Sequence, residues 1–240
     1  MCGESDELLR VLRTYTVSKR DDTPNEDRVR VSDDKRCCAV SDGASVSFDS
    51  GQWAEILCER FLQSRDINER WLRLATEQYA ALYDRDNMSW SHQAAFDRGS
   101  FASLLGVACG EGRTARVFSF GDSLLAFVDN GQVVRTIPYL QADEFDKAPT
   151  MLSTCGAENK AIDDDALNEA WHDLFLGSHD KPFLLLMTDA IGRWLLDDPS
   201  PDRLSVLLGI ESEGAFRKFV ARERADGRLK RDDSTLVVIG

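Results

Sequence analysis

Segments in which apolar and polar residues alternate, or in which apolar residues run without a break, predict the β-strands of this chain. Residues 183–187 are apolar at every position, which predicts a strand buried on both faces. The tripeptide Asp129-Asn130-Gly131 is a strong hairpin signal. The predicted strands are residues 11–17, 28–31, 36–40, 101–109, 115–120, 124–128, 133–137, 183–187 and 234–239.

Apolar residues that recur every three or four positions predict helices between these strands. A capping-box pattern, Asp66 with Glu69, precedes one of them, and a short helix is expected from Asp165 through Leu174. Residues 84–99 are polar and predicted to be irregular. The other predicted helices follow caps at residues 49–50 and 200–201, and the last one ends near residue 227.

The order of these elements predicts the fold class. Strands come first, then helices, then strands joined by short turns, then helices and a closing strand, which is not a regular βαβ alternation. We therefore predict an α+β fold with two mostly antiparallel sheets packed as a sandwich and helices on the outside. The four strands within residues 101–137 are expected to form one antiparallel meander. Residues 1–240 are expected to form one domain, with a long irregular loop at 138–165.

Composition excludes several classes of protein. The chain has 240 residues, 30% of them charged, and a net charge of -13, which argues against nucleic acid and anionic membranes as partners. No apolar run approaches the ~20 residues of a membrane helix, and the N-terminus lacks the pattern of a signal peptide. The six cysteines form no CxxC pair and are expected to be reduced thiols. We expect a cytoplasmic monomer.

Carboxylates stand at the ends of four predicted strands. Asp42 follows residues 36–40, Asp189 follows 183–187, and Asp232 precedes the last strand. The pair Glu26-Asp27 opens the second strand in the same way. Each residue alone could simply cap a turn. Together they suggest one acidic pocket filled by a cation.

The chemistry of this pocket favours a hard cation. Mg²⁺ and Mn²⁺ prefer carboxylate, carbonyl and water oxygens, and Asp42, the Gly43 carbonyl, Asp189 and Asp232 would supply them. Two such ions about 3.5–4 Å apart can share a carboxylate and polarise a water for in-line attack on phosphorus. The sequence therefore suggests a two-metal hydrolase.

Six blocks of sequence carry a resemblance to the metal-dependent serine/threonine protein phosphatases of type 2C. They occur in the order typical of that family and span almost the entire chain. The most specific are the glycine-aspartate-serine block before a hairpin and the acidic pair before the final strand. The blocks are NEDR at 25–28, VSDGA at 40–44, DRGSFAS at 97–103, FSFGDSLLAFVDNGQVV at 118–134, LLLMTDAIGRW at 184–194 and RDDSTLVVI at 231–239.

The resemblance implies roles for the acidic residues. Asp42 would bridge two Mn²⁺ or Mg²⁺ ions and act with Asp189 as a catalytic carboxylate, while the Gly43 carbonyl would bind one ion. Asp189 and Asp232 would complete the other ion's ligands. Glu26 would hold a metal-bound water.

Four further positions also take their interpretation from the resemblance. Asp27 would support the acidic cluster as part of the metal site, and Asp97 matches the position that holds a third metal in some members. Asp122 would be structural, holding a turn between strands. Arg20 is the candidate for the phosphate-binding basic residue, and residues 138–165 would be the flap beside the active site.

The resemblance implies a phosphorylated protein as substrate, with phosphoserine and phosphothreonine as the reacting groups. Ala44 and Ser45 follow the central Asp-Gly where the family often has histidine, so no general-acid histidine is evident. The alternative hypothesis is a phosphatase-like regulatory or binding module with little turnover. A third is a metal-dependent hydrolase of small phosphate esters.

Overall fold

The structure, a computed structural model, describes residues 8–240. Its strands are β1 Val11–Val17, β2 Arg28–Val31, β3 Cys37–Ser41, β4 Phe101–Ala102, β5 Leu104–Cys109, β6 Thr114–Phe120, β7 Leu124–Asp129, β8 Gln132–Ile137, β9 Leu152–Ser153, β10 Trp171–Phe175, β11 Pro182–Met187 and β12 Ser234–Ile239. Its helices are α1 Ser50–Gln63, α2 Glu69–Ala80, α3 Trp90–Arg98, α4 Asp164–Glu169, α5 Asp189–Asp197, α6 Pro201–Leu208 and α7 Glu213–Ala225.

The strands form two five-stranded antiparallel sheets. One has the order β1-β12-β11-β7-β8 and the other the order β10-β6-β5-β3-β2. A two-stranded sheet pairs β4 with β9. Apolar side chains of both large sheets meet in one buried cluster, among them Val40 and Val107 from one sheet and Leu186 and Val237 from the other. The two sheets therefore pack face to face, as a period of two along each strand requires.

Helices cover the outer faces of the sandwich. Trp53, Phe61 and Trp71 of α1 and α2 are buried with Leu104 of β5 and Phe118 of β6. On the other side α5, α6 and α7 pack on β7, β11 and β12, and their buried residues include Trp194, Leu204 and Phe216. The predicted α+β sandwich with outer helices is confirmed. Residues 183–187 lie in β11, which is buried on both faces as predicted.

The single meander predicted for residues 101–137 is wrong. β5 pairs with β6 in one sheet, whereas β7 pairs with β8 in the other, so the chain crosses between the sheets at Gly121. This glycine has φ 99°, and a Cβ there would lie 2.6 Å from Cβ of Ser103. Only glycine accommodates this turn, because a side chain would be both strained and overlapped.

Two further local predictions differ from the structure. The helix expected from Asp165 ends at Glu169, and β10 follows, paired with β6. The spacing of Trp171 and Leu174 suits a helix, but Leu174 enters the core between the sheets while Trp171 packs on the outer face. Residues 84–99 contain α3.

The N-terminus of α2 is capped two residues later than the sequence pattern suggested. The Asn68 side chain, not that of Asp66, accepts the N–H of Trp71 at 2.9 Å. The loop at 138–165 is also more ordered than predicted, since it contains β9, and Asp146 pairs with Arg193 of α5. Within residues 8–240, no helix combines the length and the apolar character needed to span a bilayer.

Candidate metal centre

Antiparallel pairing brings the acidic strand ends to one place in each sheet. The end of β3 lies beside the start of β2, with Ser41 opposite Arg28. In the other sheet the end of β11 lies beside the start of β12, with Met187 opposite Leu236. Carboxylates just beyond these strand ends are therefore neighbours within each sheet.

Asp27 connects the two sheets at this edge. Its buried Oδ2 accepts hydrogen bonds from Thr188 Oγ1 at 3.0 Å and Thr235 Oγ1 at 2.7 Å. Its Oδ1 is also buried and has no hydrogen-bond partner. Burial raises the pKa of Asp27 to about 8, and Asp233 and Asp189 act in the same direction against the two threonine hydrogen bonds.

The backbone of Asp42 is fixed by two hydrogen bonds to Ser103. Its N–H donates to Ser103 Oγ at 3.1 Å and its carbonyl accepts the Ser103 N–H at 2.9 Å. The next residue, Gly43, packs so closely on α1 that a Cβ would lie 2.8 Å from the Ser50 backbone. The Ala44 N–H donates to the Phe101 carbonyl. These hydrogen bonds are made by Asp42 and Ala44, and the carbonyl of Gly43 between them takes part in none of them. The loop thus presents a carboxylate and a backbone carbonyl together.

The carboxylates repel one another. Desolvation raises the pKa of Asp42 well above its usual range, and Asp27, Asp189, Asp122 and Asp232 raise it further. Hydrogen bonds also join these segments, because Ser103, which holds Asp42, contacts Ser123 at 2.7 Å next to Asp122, and Asp27 accepts from Thr188 next to Asp189.

Asp122 belongs to the same cluster. Burial raises the pKa of Asp122 to about 6, with the charge of Asp189 as the next cause. One oxygen each of Asp122 and Asp189 is buried without a hydrogen-bond partner. Asp122, interpreted from sequence as structural, therefore also contributes charge to the centre.

Lys230 supplies a cation between two of the predicted ligands. Its Nζ lies 2.8 Å from Oδ2 of Asp189 and 2.8 Å from Oδ2 of Asp232. Burial alone would lower the pKa of Lys230, but Asp189 and Asp232 raise it above its usual value. Burial raises the pKa of Asp189, although Lys230 opposes this shift.

A second ammonium group lies beside Glu26. Lys19 Nζ is 2.5 Å from Glu26 Oε2 and 2.7 Å from Ser45 Oγ. The other Glu26 oxygen accepts from Ser50 Oγ at 3.1 Å. Asp233 fixes this pair through the backbone, because its two oxygens accept the N–H groups of Lys19 and Glu26, each at 2.6 Å.

Two residues predicted for the site lie elsewhere. Asp97 is exposed on α3 and forms a two-point ion pair with Arg85, which lowers the pKa of Asp97. Arg20 is exposed, and within residues 8–240 its side chain has no ion-pair partner. Of these two adjacent basic residues, Lys19 contacts the cluster through Glu26, and Arg20 lies in the bend that follows the end of β1.

The donor set fits a hard dication in its chemistry. The carboxylates supply oxygen donors, and three of them have a buried oxygen without a partner. Within the part of the chain that the structure describes, no three His, Cys, Asp or Glu side chains are close enough to enclose a metal ion. An ammonium group already satisfies one oxygen of Asp189 and one of Asp232.

Known structures share this fold. The catalytic domain of the serine/threonine protein phosphatase PstP, in complex with two manganese ions, has a TM-score of 0.62 and 15% identity, with 97% of each chain covered. For MsPP, a PPM Ser-Thr phosphatase from Mycobacterium smegmatis in complex with cacodylate, the TM-score is 0.56, with 18% identity over 96% of this chain and 98% of that one. PppA, a regulatory component of T6SS in Pseudomonas aeruginosa, gives 0.54 and 16%, with 96% of each chain covered.

The fold and the carboxylate cluster define the class: a PPM-type phosphatase fold. The model of the family described as protein phosphatase 2C matches residues 16–204, and the chain belongs to that family. No curated protein matches the chain in sequence. The resemblance found in the six sequence blocks is thereby confirmed.

Proposed function

We propose that this protein is a Mn²⁺- or Mg²⁺-dependent phosphoprotein phosphatase that hydrolyses phosphoserine and phosphothreonine. The observation that carries the proposal is the cluster of Asp27, Asp42, Asp122 and Asp189, which repel one another and leave buried oxygens unpaired. Such a cluster is costly without a cation. PstP, which has the same fold, holds two manganese ions, and this supports the choice of metal.

Each residue of the centre has a distinct task in this proposal. Asp42, the Gly43 carbonyl, Asp189 and Asp232 would hold the ions, and Asp42 and Asp189 are the catalytic carboxylates. When bound, the two dications would supply Lewis-acid activation of a water for attack on phosphorus. Glu26 would orient that water by hydrogen bonding. Asp27 would fix the cluster through its threonine partners, as its buried position supports.

Lys19 is the candidate for contact with the substrate phosphate. Its ammonium group contacts Glu26 and Ser45, close to Gly43 in the chain, whereas the Arg20 side chain is exposed. A compact ammonium group is a good point-charge partner for phosphate. We therefore assign to Lys19 the role that the sequence suggested for Arg20.

The test is hydrolysis of a phosphothreonine peptide and of an aryl phosphate with added Mn²⁺. We expect activity that EDTA abolishes and that Asp42→Asn and Asp189→Asn each reduce by about 10²-fold or more, as expected for groups that stabilise transition-state charge. Asp180→Asn is the matched control, because Asp180 is exposed before the opposite end of β11. Activity that survives EDTA or Asp42→Asn would contradict the proposal. Activity on the aryl phosphate alone would favour a hydrolase of small esters.

One observation favours the second candidate function, a phosphatase-like binding module with little turnover. Lys230 already contacts both Asp189 and Asp232 and offsets part of their charge, so this pair has a stabilising cation without metal. Calorimetry with Mn²⁺ alongside the activity assay separates the two functions. Metal binding without hydrolysis of any phosphopeptide would support the module.

A further inference from the structure

The side chain of Lys230 occupies the position of a cation in the centre. Its Nζ is equidistant, at 2.8 Å, from Asp189 Oδ2 and Asp232 Oδ2. These two carboxylates come from different segments, one at the start of α5 and one before β12. An ordinary surface ion pair joins two groups, whereas this ammonium group bridges two residues that a dication would also have to bridge.

The bridge holds Asp189 strongly. Only 15% of the Asp189 side chain is exposed, and its Oδ1 is buried without a partner. Lys230 therefore supplies the positive charge that pairs with this partly buried carboxylate. Asp232 is more open, with 28% of its side chain exposed.

Lys230 itself can leave. Its side chain is 54% exposed, and it lies in the segment between α7 and β12 that follows the turn at Gly227. A lysine side chain has a flexible four-carbon stem and a strongly hydrated charge, so it can move into solvent without disturbing the core. The contact is thus tight at the carboxylates but open on the solvent side.

We propose that Lys230 is a displaceable internal counter-ion, which a divalent metal must displace from Asp189 and Asp232, so that Lys230 lowers the affinity of the centre for metal. The inference rests on the metal-dependent function proposed above. The ammonium group already contacts one oxygen of each carboxylate, and a dication would need these same oxygens as ligands. A dication that binds both carboxylates and a monovalent ammonium that bridges them exclude one another.

The test is the affinity for Mn²⁺ alone, measured by titration calorimetry on the metal-free full chain and on Lys230→Met and Lys230→Gln. We expect both variants to bind Mn²⁺ roughly tenfold more tightly, the scale of the two competing ion pairs that each variant loses. Arg231→Met is the matched control. It removes the same charge one residue away, from an exposed side chain that pairs with neither Asp189 nor Asp232.

Circular dichroism and thermal unfolding check that each variant is folded, and measuring Lys230→Gln beside Lys230→Met guards against misfolding of either one. Adding Asp42→Asn to Lys230→Met should abolish the tighter binding, which locates it at this centre.

The outcomes are distinguishable. Tighter binding by the Lys230 variants, with Arg231→Met unchanged, supports the inference. Equal or weaker binding by these variants, while the unsubstituted protein binds Mn²⁺, overturns the inference and leaves the proposed function standing. Failure of every variant to bind Mn²⁺ overturns the inference and the proposed metal-dependent function together.

Discussion

Asp233 Oδ2 accepts the backbone N–H of Glu26 at 2.6 Å, joining two residues that are 207 positions apart in the chain. The second oxygen of Asp233 accepts the N–H of Lys19. Asp233 is buried, and Asp232 before it is not. The two adjacent aspartates therefore have different tasks: Asp233 fixes the loop from β1 to β2, while Asp232 faces the centre.

This division predicts that matched substitutions change different properties of the protein. Asp233→Asn places an amide group where two N–H donors need acceptors, so we expect the free energy of unfolding to fall by about 1–3 kcal/mol. Asp232→Asn should leave stability nearly unchanged and weaken Mn²⁺ binding instead. Denaturant unfolding and calorimetry on both variants measure this. Equal losses of stability in the two variants would show that the division of tasks is wrong.

Lys19 and Arg20 provide a second matched pair. If Lys19 contacts the substrate phosphate, Lys19→Met should lower kcat/KM for a phosphothreonine peptide by about 10- to 100-fold, the value of one or two charge-assisted hydrogen bonds. Arg20→Met should have little effect because its exposed side chain lies outside the cluster. Steady-state kinetics with saturating Mn²⁺ decide between the two residues. A larger loss for Arg20→Met would restore the assignment made from sequence.

The carboxylates of the centre were predictable because the residues next to them in the sequence show that they stand at strand ends. Asp42 and Asp189 each follow an apolar strand, and an antiparallel sandwich brings such strand ends together. Family motifs supplied their order. The same motifs could not place Arg20, since its direction depends on the bend after β1 and not on its neighbours in sequence.

The cations of the centre were not predictable for a different reason. Lys230 is 41 residues from Asp189, and the backbone N–H of Lys19, which fixes where this lysine lies, bonds Asp233 across 214 residues. No periodicity records such a partnership, although a lysine two positions before Asp232 was visible in the sequence. The crossing between sheets at Gly121 escaped prediction similarly, because a short turn looks the same within one sheet or between two.

The resemblance implied that Asp97 holds a third metal ion, and a substitution can test this role. Its carboxylate is exposed and paired with Arg85 on the protein surface, so Asp97→Asn should change neither the Mn²⁺ affinity nor the rate of peptide hydrolysis beyond about twofold. Calorimetry at high Mn²⁺ would also count the bound ions. Loss of a weakly bound ion in this variant would show that Asp97 turns toward the centre in the loaded protein.

The lowered pKa of Glu223 leads us to expect that stability depends on pH. This buried carboxylate of α7 accepts from Arg228 and from Trp194 Nε1 at 3.0 Å, and Arg228 above all lowers the pKa of Glu223 to about 2. A carboxyl group with a lowered pKa in the folded state stabilises that state above its ordinary pKa of 4.5, and the contribution is lost as the pH falls toward 2.

Glu223→Gln should therefore reduce the free energy of unfolding at pH 7 by about 1–2 kcal/mol, after allowance for the partly exposed arginine partners. The difference between variant and unsubstituted protein should shrink between about pH 4.5 and pH 2. Glu213→Gln, on the same helix but in an exposed pair with Arg217, is the control and should cost little. A constant difference across this pH range would refute the assignment to Glu223.

Asp42→Asn should separate stability from metal binding. In the metal-free protein Asp42 lies among Asp27, Asp122 and Asp189, which repel its charge, so replacing it with a neutral amide should raise the free energy of unfolding by about 1 kcal/mol in EDTA at pH 8. Added Mn²⁺ should raise the thermal unfolding temperature of the unsubstituted protein and not that of the variant. Because Ser103 holds the Asp42 backbone, the substitution should leave the loop in place. A variant that is less stable without metal, or that Mn²⁺ still stabilises, would show that Asp42 is not at the centre of the repelling cluster.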